Sequence, residues 1–439
     1  MKITVVNGSP RGEGSVTLYT VKYIQKYYPE HEYTYIHAGK YIKKLEKDFS
    51  DAKQQLEEAD LIIFAYPVYT FLCPSQLHHF INLMKENDVK VEGKPVTQIT
   101  TSKHFYDVTA HKYIEANAAD MKMRCIRGLS ADMDDLLHEE GQKDALGFFS
   151  YVEFSIKNAV YEPFKDYKPY NGTYTSVYRS VVKSDDKRCA LVTNLKEGDT
   201  SLKNMINDFM ALFPYQTEII NLTDMHMRGG CVGCLSCAND GKCIYKDDYQ
   251  DYLLNHINNA DCIIYAFSIE DHSMGWDFKM YDDRQFCNGH RSVTMGKPVG
   301  YLINGDYDQE ENLHTLIEAR ADVGHNFLVG TATDAKQIYN MVKKIDYAFD
   351  HEYVPPQQFY GVGGMKIFRD LIYVMGGLMT ADHEFYKEQG FFDDMPHKQQ
   401  GRKQLMYLVG ALLKNPKLAS KGGSTEGLGM LYENVLKNK

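Results

Sequence analysis

Positive charge is in short supply in this chain. Its 49 Lys and Arg stand against 59 Asp and Glu, a net charge of -10. That balance excludes the cation-rich surface that a general nucleic-acid or anionic-membrane binder needs. Long apolar runs are missing as well. The opening "MKITVVNGSPRG" passes straight into a strand-like run and a glycine loop, without the apolar stretch of a secretory signal. The longest late run, "LIYVMGGLM", is well short of a membrane span. Nine cysteines in 439 residues are too few for a disulfide scaffold. There is one tryptophan, Trp276, for which a core or interface position is expected. Together these absences point to a soluble, cytoplasmic protein with neither nucleic acid nor membrane as partner.

The length predicts two or three domains. Apolar runs of four to seven residues alternate with longer amphipathic stretches, the pattern of a parallel α/β sheet. In the first half the runs are "ITVV", "YTYIH", "LIIFAY", "VTQIT" and "MRCIRG". In the second they are "CALVT", "TEIINL", "CIIYAF", "VGYLIN" and "NFLVG". The segment from Glu58, "EADLIIFAYPVYTFLCPSQLHHFINLM", aligns without a gap to "NADCIIYAFSIEDHSMGWDFKMYDDR" from Asn259, and a Lys-Pro-Val follows each. The architecture therefore occurs twice. The expected organisation is a domain over 1–160, a linker over 161–187, a second domain over 188–354 and a helical extension over 355–439. Helices are expected near Lys366–Leu378 and Lys403–Lys414 within that extension.

The first strand runs into "NGSPRGEGSVTLYTVKYI", a Gly/Ser/Thr loop followed by a helix. Such a loop aims backbone N–H groups and hydroxyls at an anion, and the helix adds its positive end. Ser9, Ser15, Val16 and Thr17 are the expected phosphate contacts, with Arg11 supplying charge. The loop is neither a Walker loop nor a Gly-x-Gly-x-x-Gly fingerprint. In a doubly wound sheet of order 2-1-3-4-5, the first and third loops meet at the topological switch point, where FMN binds. The third loop, "YPVYTFLCPSQLHHF", offers backbone over Pro67, Val68, Tyr69, Thr70 and Phe71 for the flavin edge, and a Tyr69 or Phe71 ring for its face. The fourth, "TTSKHFYD", closes the site through Thr101 and Ser102.

Four cysteines crowd into "GGCVGCLSCANDGKCIYKDD": Cys231, Cys234, Cys237 and Cys243. In a reducing compartment such a group reads as metal ligands or redox thiols. The x2-x2 spacing suits a cubane iron–sulfur cluster, whereas structural zinc more often takes two separated pairs. Zinc and redox thiols stay open at this point. Asp247 and Asp248 read as a cap for a helix near Tyr249. His78 and His79 have no partner at ligand spacing and read as a half-exposed helix face.

"GSPR" with a downstream "PVY" resembles the flavodoxin-like NAD(P)H-dependent FMN reductase superfamily. The cysteine run, with Asp247-Asp248 and Asp283-Arg284 after it, is similar to the iron–sulfur flavoprotein branch. The resemblance implies two tandem flavodoxin-like, doubly wound, five-stranded parallel sheets of order 2-1-3-4-5 with a C-terminal helical extension, an internal pseudo-dimer. It implies FMN in the first half, a 4Fe–4S cluster on the four cysteines, and transfer of electrons from NAD(P)H to a flavin, quinone or other acceptor. Two alternatives are an electron carrier between redox protein partners and a redox sensor that uses the cysteines. The second half's first loop, "NLKEGDT", has lost the serine and arginine and gained Glu197. Its third loop, "FSIEDHS", places Glu270 and Asp271 where the first half has its tyrosine. One FMN per chain is therefore expected.

Overall fold

A computed structural model describes residues 1–163 and 165–413. Eleven strands among them form two all-parallel sheets. The first holds β1 (Lys2–Asn7), β2 (Glu32–Ile36), β3 (Leu61–Pro67), β4 (Pro95–Ser102), β5 (Arg124–Cys125) and β6 (Leu129–Asp132). Their order is β2-β1-β3-β4-β5, with β6 also paired to β4. The fifth strand is thus split. Arg124 and Cys125 pair with Pro95 and Val96, and Leu129–Asp132 pair with Ile99–Ser102. Gly128 lies in the break, and a Cβ there would come 2.4 Å from the Gln98 side chain.

The second sheet holds β7 (Ser184–Thr193), β8 (Tyr215–Asn221), β9 (Cys262–Ser268), β10 (Pro298–Asn304) and β11 (Phe327–Ala332). Its order, β11-β10-β9-β7-β8, is the same 2-1-3-4-5 arrangement. In the central strands nearly every side chain is buried, as sheets covered by helices on both faces require. Each sheet keeps one outer core to itself, around Val5, Ile63 and Phe149 in the first half and Leu191, Phe209 and Ile264 in the second. The inner faces share a third core, in which Phe64, Tyr66 and Phe80 join Phe267, Phe278 and Tyr301.

The seam is made by the repeated segments themselves. The helix Ser75–Glu86 packs on the helix Trp276–Arg284, as equivalent surfaces do across a two-fold dimer. His78 and His79 are buried there, and not half exposed, because the second half covers their outer face. His78 Nδ1 lies 2.7 Å from Asp271 Oδ2, and its ring stacks on Tyr113 at 3.9 Å. Tyr113 donates to the same carboxylate oxygen at 2.8 Å. His79 stacks on Trp276 at 3.9 Å, which puts the single tryptophan at the interface.

Between the halves, residues 161–163 and 165–183 form neither helix nor strand. They are pinned to the helix Thr200–Leu212, where Asp208 accepts from the Tyr174 hydroxyl at 2.7 Å and from Val177 N at 2.9 Å. After β11 come the helices Ala335–His351 and Phe359–Met375. The chain divides into a compact unit, Met1–Asp382, which contains both sheets, and a second that begins at His383. The helix Gln400–Leu413 lies in that second unit, and the expected end at Lys414 lies outside the described residues. No helix of the described residues is long and apolar enough to cross a membrane.

Candidate functional site

The first loop leaves β1 at Asn7, whose side chain shapes the turn beyond it. Asn7 Nδ2 donates to the Gly12 carbonyl at 2.8 Å, and Oδ1 accepts from Ser9 N at 3.1 Å. The helix Val16–Tyr27 then begins at Ser15, which has extended backbone and makes no side-chain cap bond. The first turn of a helix has N–H groups with no partner inside the helix. Here they open beside buried Ser9, Ser15 and Thr17. Thr17 Oγ1 lies 2.6 Å from Thr101 Oγ1 and so ties this loop to the end of β4. This donor set fits a phosphate. Arg11 is exposed, and its guanidinium reaches across the seam to the Gly233 carbonyl at 2.5 Å.

The third loop is a tight turn. Tyr69 N donates to the Leu72 carbonyl at 2.7 Å, and Leu72 N donates back at 3.0 Å. Phe71 packs against Phe105 and Tyr106 of the fourth loop, with ring centroids 5.0 and 4.5 Å away. Ser102 Oγ in that loop accepts from His104 N at 2.9 Å. Tyr69 meets Phe286 of the second half edge-on at 5.9 Å.

The cysteine loop lies directly on this flavin-type site. Gly233 has φ +63°, and a Cβ there would sit 2.0 Å from the Tyr69 hydroxyl, so only glycine fits. Gln76 Nε2 donates to the Cys231 carbonyl at 3.2 Å. A cavity of about 690 Å³ runs between the two loops. Its walls include Ser9, Arg11, Ser15, Val16 and Thr17 of the first loop and Pro67, Val68, Tyr69, Thr70 and Phe71 of the third. Thr101 and Ser102 of the fourth loop join them, as do Cys231, Cys234, Cys237 and Cys243. The structure thus brings all sixteen sequence-predicted residues to one space. Phe368, Leu371 and Met375 of the helix Phe359–Met375 add an apolar wall that sequence reasoning missed.

Among the described residues, no three of the four sulfurs lie within 4.8 Å of one another. A tetrahedral zinc site would hold them about 3.8 Å apart. Four thiolates on one loop are the donor set that either group, zinc or a cubane cluster, takes. Burial pushes the Cys231 and Cys237 thiols up to about 12. Cys243 moves the other way, down to about 5, because it accepts a hydrogen bond from Cys287, helped by Arg284. Cys287 correspondingly holds its proton.

Cys287 and Arg284 are neighbours of the cysteine loop whose placement the sequence did not reveal. Their signal was the "DDRQFC" run that closes the repeated helix. Arg284 Nη2 lies 3.5 Å from Cys243 Sγ, and the guanidinium clamps Asp247 with two bonds of 2.7 and 2.8 Å. Asp247 is therefore an ion-pair partner. Asp248 occupies the cap position but makes no cap bond, and its carboxylate accepts from His226 N.

The matching loop in the second half borders a smaller hollow of about 330 Å³, walled by residues 195–200 and Lys203, but its helix start is already capped. Asp199 Oδ1 caps the helix Thr200–Leu212 by accepting from Leu202 N at 3.1 Å, and also accepts from Asn304 Nδ2 at 3.4 Å. Asp199 Oδ2 accepts from the Ser268 hydroxyl. Glu270 pairs with Lys196, and Asp271 is committed to the seam. Glu197 is exposed.

Residues 1–131 match the family model described as NADPH-dependent FMN reductase. An iron–sulfur flavoprotein of Archaeoglobus fulgidus is 27% identical over 206 residues, covering 44% of this chain and 90% of that protein. Another, from Clostridioides difficile, is 30% identical over 92 residues, covering 20% of this chain and 40% of that protein. Among solved structures, a flavoenzyme NAD(P)H:(acceptor) oxidoreductase of Paracoccus denitrificans is 18% identical with a TM-score of 0.29, over 36% of this chain and 95% of its own.

Proposed function

We propose that this chain, whose first half belongs to the flavodoxin-like NAD(P)H-dependent FMN reductase superfamily, is a flavin-dependent oxidoreductase. In this reading it passes electrons from NAD(P)H to a flavin, quinone or other acceptor, using FMN and a 4Fe–4S cluster. One observation carries the reading: an uncapped anion loop from one half and a four-cysteine loop from the other line a single cavity.

Bound FMN supplies hydride acceptance, and a cluster supplies single-electron transfer. The chain's own residues supply the rest. Ser9, Ser15, Thr17 and the N–H of Val16 would hold the phosphate, and backbone from Pro67 to Phe71 would lie along the ring edge. Thr101 and Ser102 would close the far side. Cys231, Cys234, Cys237 and Cys243 would hold the cluster. Arg284 keeps its charge at any physiological pH and favours thiolate at Cys243. Phe105 and Phe368, stacked at 4.0 Å, give the cavity an apolar side.

A second reading, in which the cysteines act as redox thiols, is favoured by the Arg284 guanidinium 3.5 Å from Cys243 Sγ, which stabilises a thiolate there. One experiment separates the two. Protein prepared without air is analysed for flavin, iron and zinc, and its visible spectrum is followed as NADH or NADPH is added. Flavin with iron, bleached by either nucleotide, is the expected result. Flavin without iron or zinc would favour the thiols, and absence of flavin would overturn the proposal.

A further inference from the structure

The seam also holds a buried charge pair that grips the third loop. Lys279 and Asp283 lie one turn apart on the helix Trp276–Arg284, and both side chains are wholly buried. Lys279 Nζ donates to the Tyr69 carbonyl at 2.8 Å and to the Thr70 hydroxyl at 2.7 Å. That hydroxyl donates in turn to Asp283 Oδ1 at 2.6 Å. Asp283 Oδ2 accepts from Ser75 N, the first amide of the helix Ser75–Glu86, at 2.7 Å. Two residues of the second half therefore hold the first half's turn through three hydrogen bonds, at the Tyr69 carbonyl and the Thr70 hydroxyl.

The turn they hold is one its own sequence disfavours. Thr70 and Phe71 are its central residues, with φ of +40° and +71°. Turns with both central residues at positive φ normally carry Asn-Gly, and a β-branched residue there is an outlier. Strained backbone of this kind persists only where its surroundings over-determine it. Stability alone is a poor reason for the pair, since a buried ion pair is often matched by apolar side chains of similar volume. What the charges add is direction: donors and acceptors aimed at fixed atoms of the loop.

We propose that Lys279 and Asp283 are positioning residues for the flavin. They hold the Tyr69–Leu72 turn in the left-handed form that presents its backbone and the Phe71 ring to the cavity. The inference rests on the reading that FMN binds the first half. It goes further in making the flavin site of one half depend on a helix of the other.

The full-length chain, stripped of flavin, is titrated with FMN while flavin fluorescence is followed. Lys279→Met should weaken binding about tenfold or more, the effect of releasing one strained turn. Thr70→Gly removes the backbone penalty at positive φ. Added to Lys279→Met, it should restore most of the affinity. A merely structural Lys279 predicts no rescue, because Thr70→Gly also deletes a seam hydroxyl. Loss without rescue therefore overturns the inference, and so does unchanged FMN affinity in Lys279→Met. Should Lys279→Met fail to fold, Asp283→Asn, which keeps the shape and loses the charge, takes its place with the same rescue and the same two overturning results. A wild-type chain that binds no FMN would instead remove the underlying reading, and this inference with it.

Discussion

The first helix of each half starts at the carboxyl end of its sheet, and the two starts are built in opposite ways. In the first half Ser15 makes no cap bond, so the helix N-terminus opens into the cavity. In the second half Asp199 caps the helix and is held in turn by Asn304 and Ser268. A carboxylate already lies where a phosphate would have to go. Lys196 pairs with Glu270 and stands 3.5 Å from Asp277, while Asn194 donates to Asp277 at 2.8 Å. The same fold can thus open or close an anion site at one position. An uncapped helix start recruits an anion from solution, and an aspartate supplies it from within.

The largest effect should come from importing the second half's solution into the first. Ser15→Asp keeps a good helix cap but puts a negative charge against a phosphate of nearly two charges. FMN affinity should fall on the order of a hundredfold, with the fold intact by circular dichroism. Undiminished affinity would show that the helix start is not the phosphate site. The same comparison requires one FMN per chain. Flavin released from protein of known concentration should approach that ratio, and two per chain would mean that Asp199 does not close the second site.

A smaller effect concerns the bond between the halves. His272 lies 2.9 Å from Asp120 of the first half and 2.9 Å from Glu310 of the second. Burial pulls its pKa down, but these two carboxylates outweigh it and leave it raised to about 9. A raised folded-state value gives stability that is complete below the unfolded value of 6.5 and lost as pH climbs through about 9. The thermal midpoint should therefore drop over that window, by an amount corresponding to a few kcal/mol. His272→Gln should flatten that part of the profile, and an unchanged slope would remove His272 from the seam's balance.

The smallest effect belongs to Asp199→Ala. Losing the cap should cost about 1 kcal/mol and lower the midpoint by about one degree. Flavin content should stay as in wild type. A gain of a second flavin would make the aspartate the only obstacle in that half.

The strand order and the repeat were legible in the sequence because apolar runs and turn residues are local signals. The fifth strand's break was not, since Gly128 matters through its closeness to Gln98 on a neighbouring strand. The loops that line the cavity could be named because their chemistry is written in consecutive residues. What could not be read was pairing at a distance. His78 is separated from Asp271 by nearly two hundred positions, and nothing near either announces the other. Nothing near Cys287 in the sequence ties it to Cys243, yet the helix before it carries it to the same cavity wall. In the second half the sequence pointed to Glu197, which faces solvent. Cap geometry gives the role to Asp199, two residues on.

Arg11 bonded to Gly233 joins the two walls of the cavity, and both walls belong to one polypeptide. When such a cavity is shared by separate subunits, its completeness follows a dissociation constant and fails on dilution. Here the connection over residues 161–183 keeps the partner wall at a high effective concentration, however scarce the protein becomes. The cavity can then form in a cell that makes few copies. Each wall can also change by a single substitution, where a symmetric dimer would suffer every change twice.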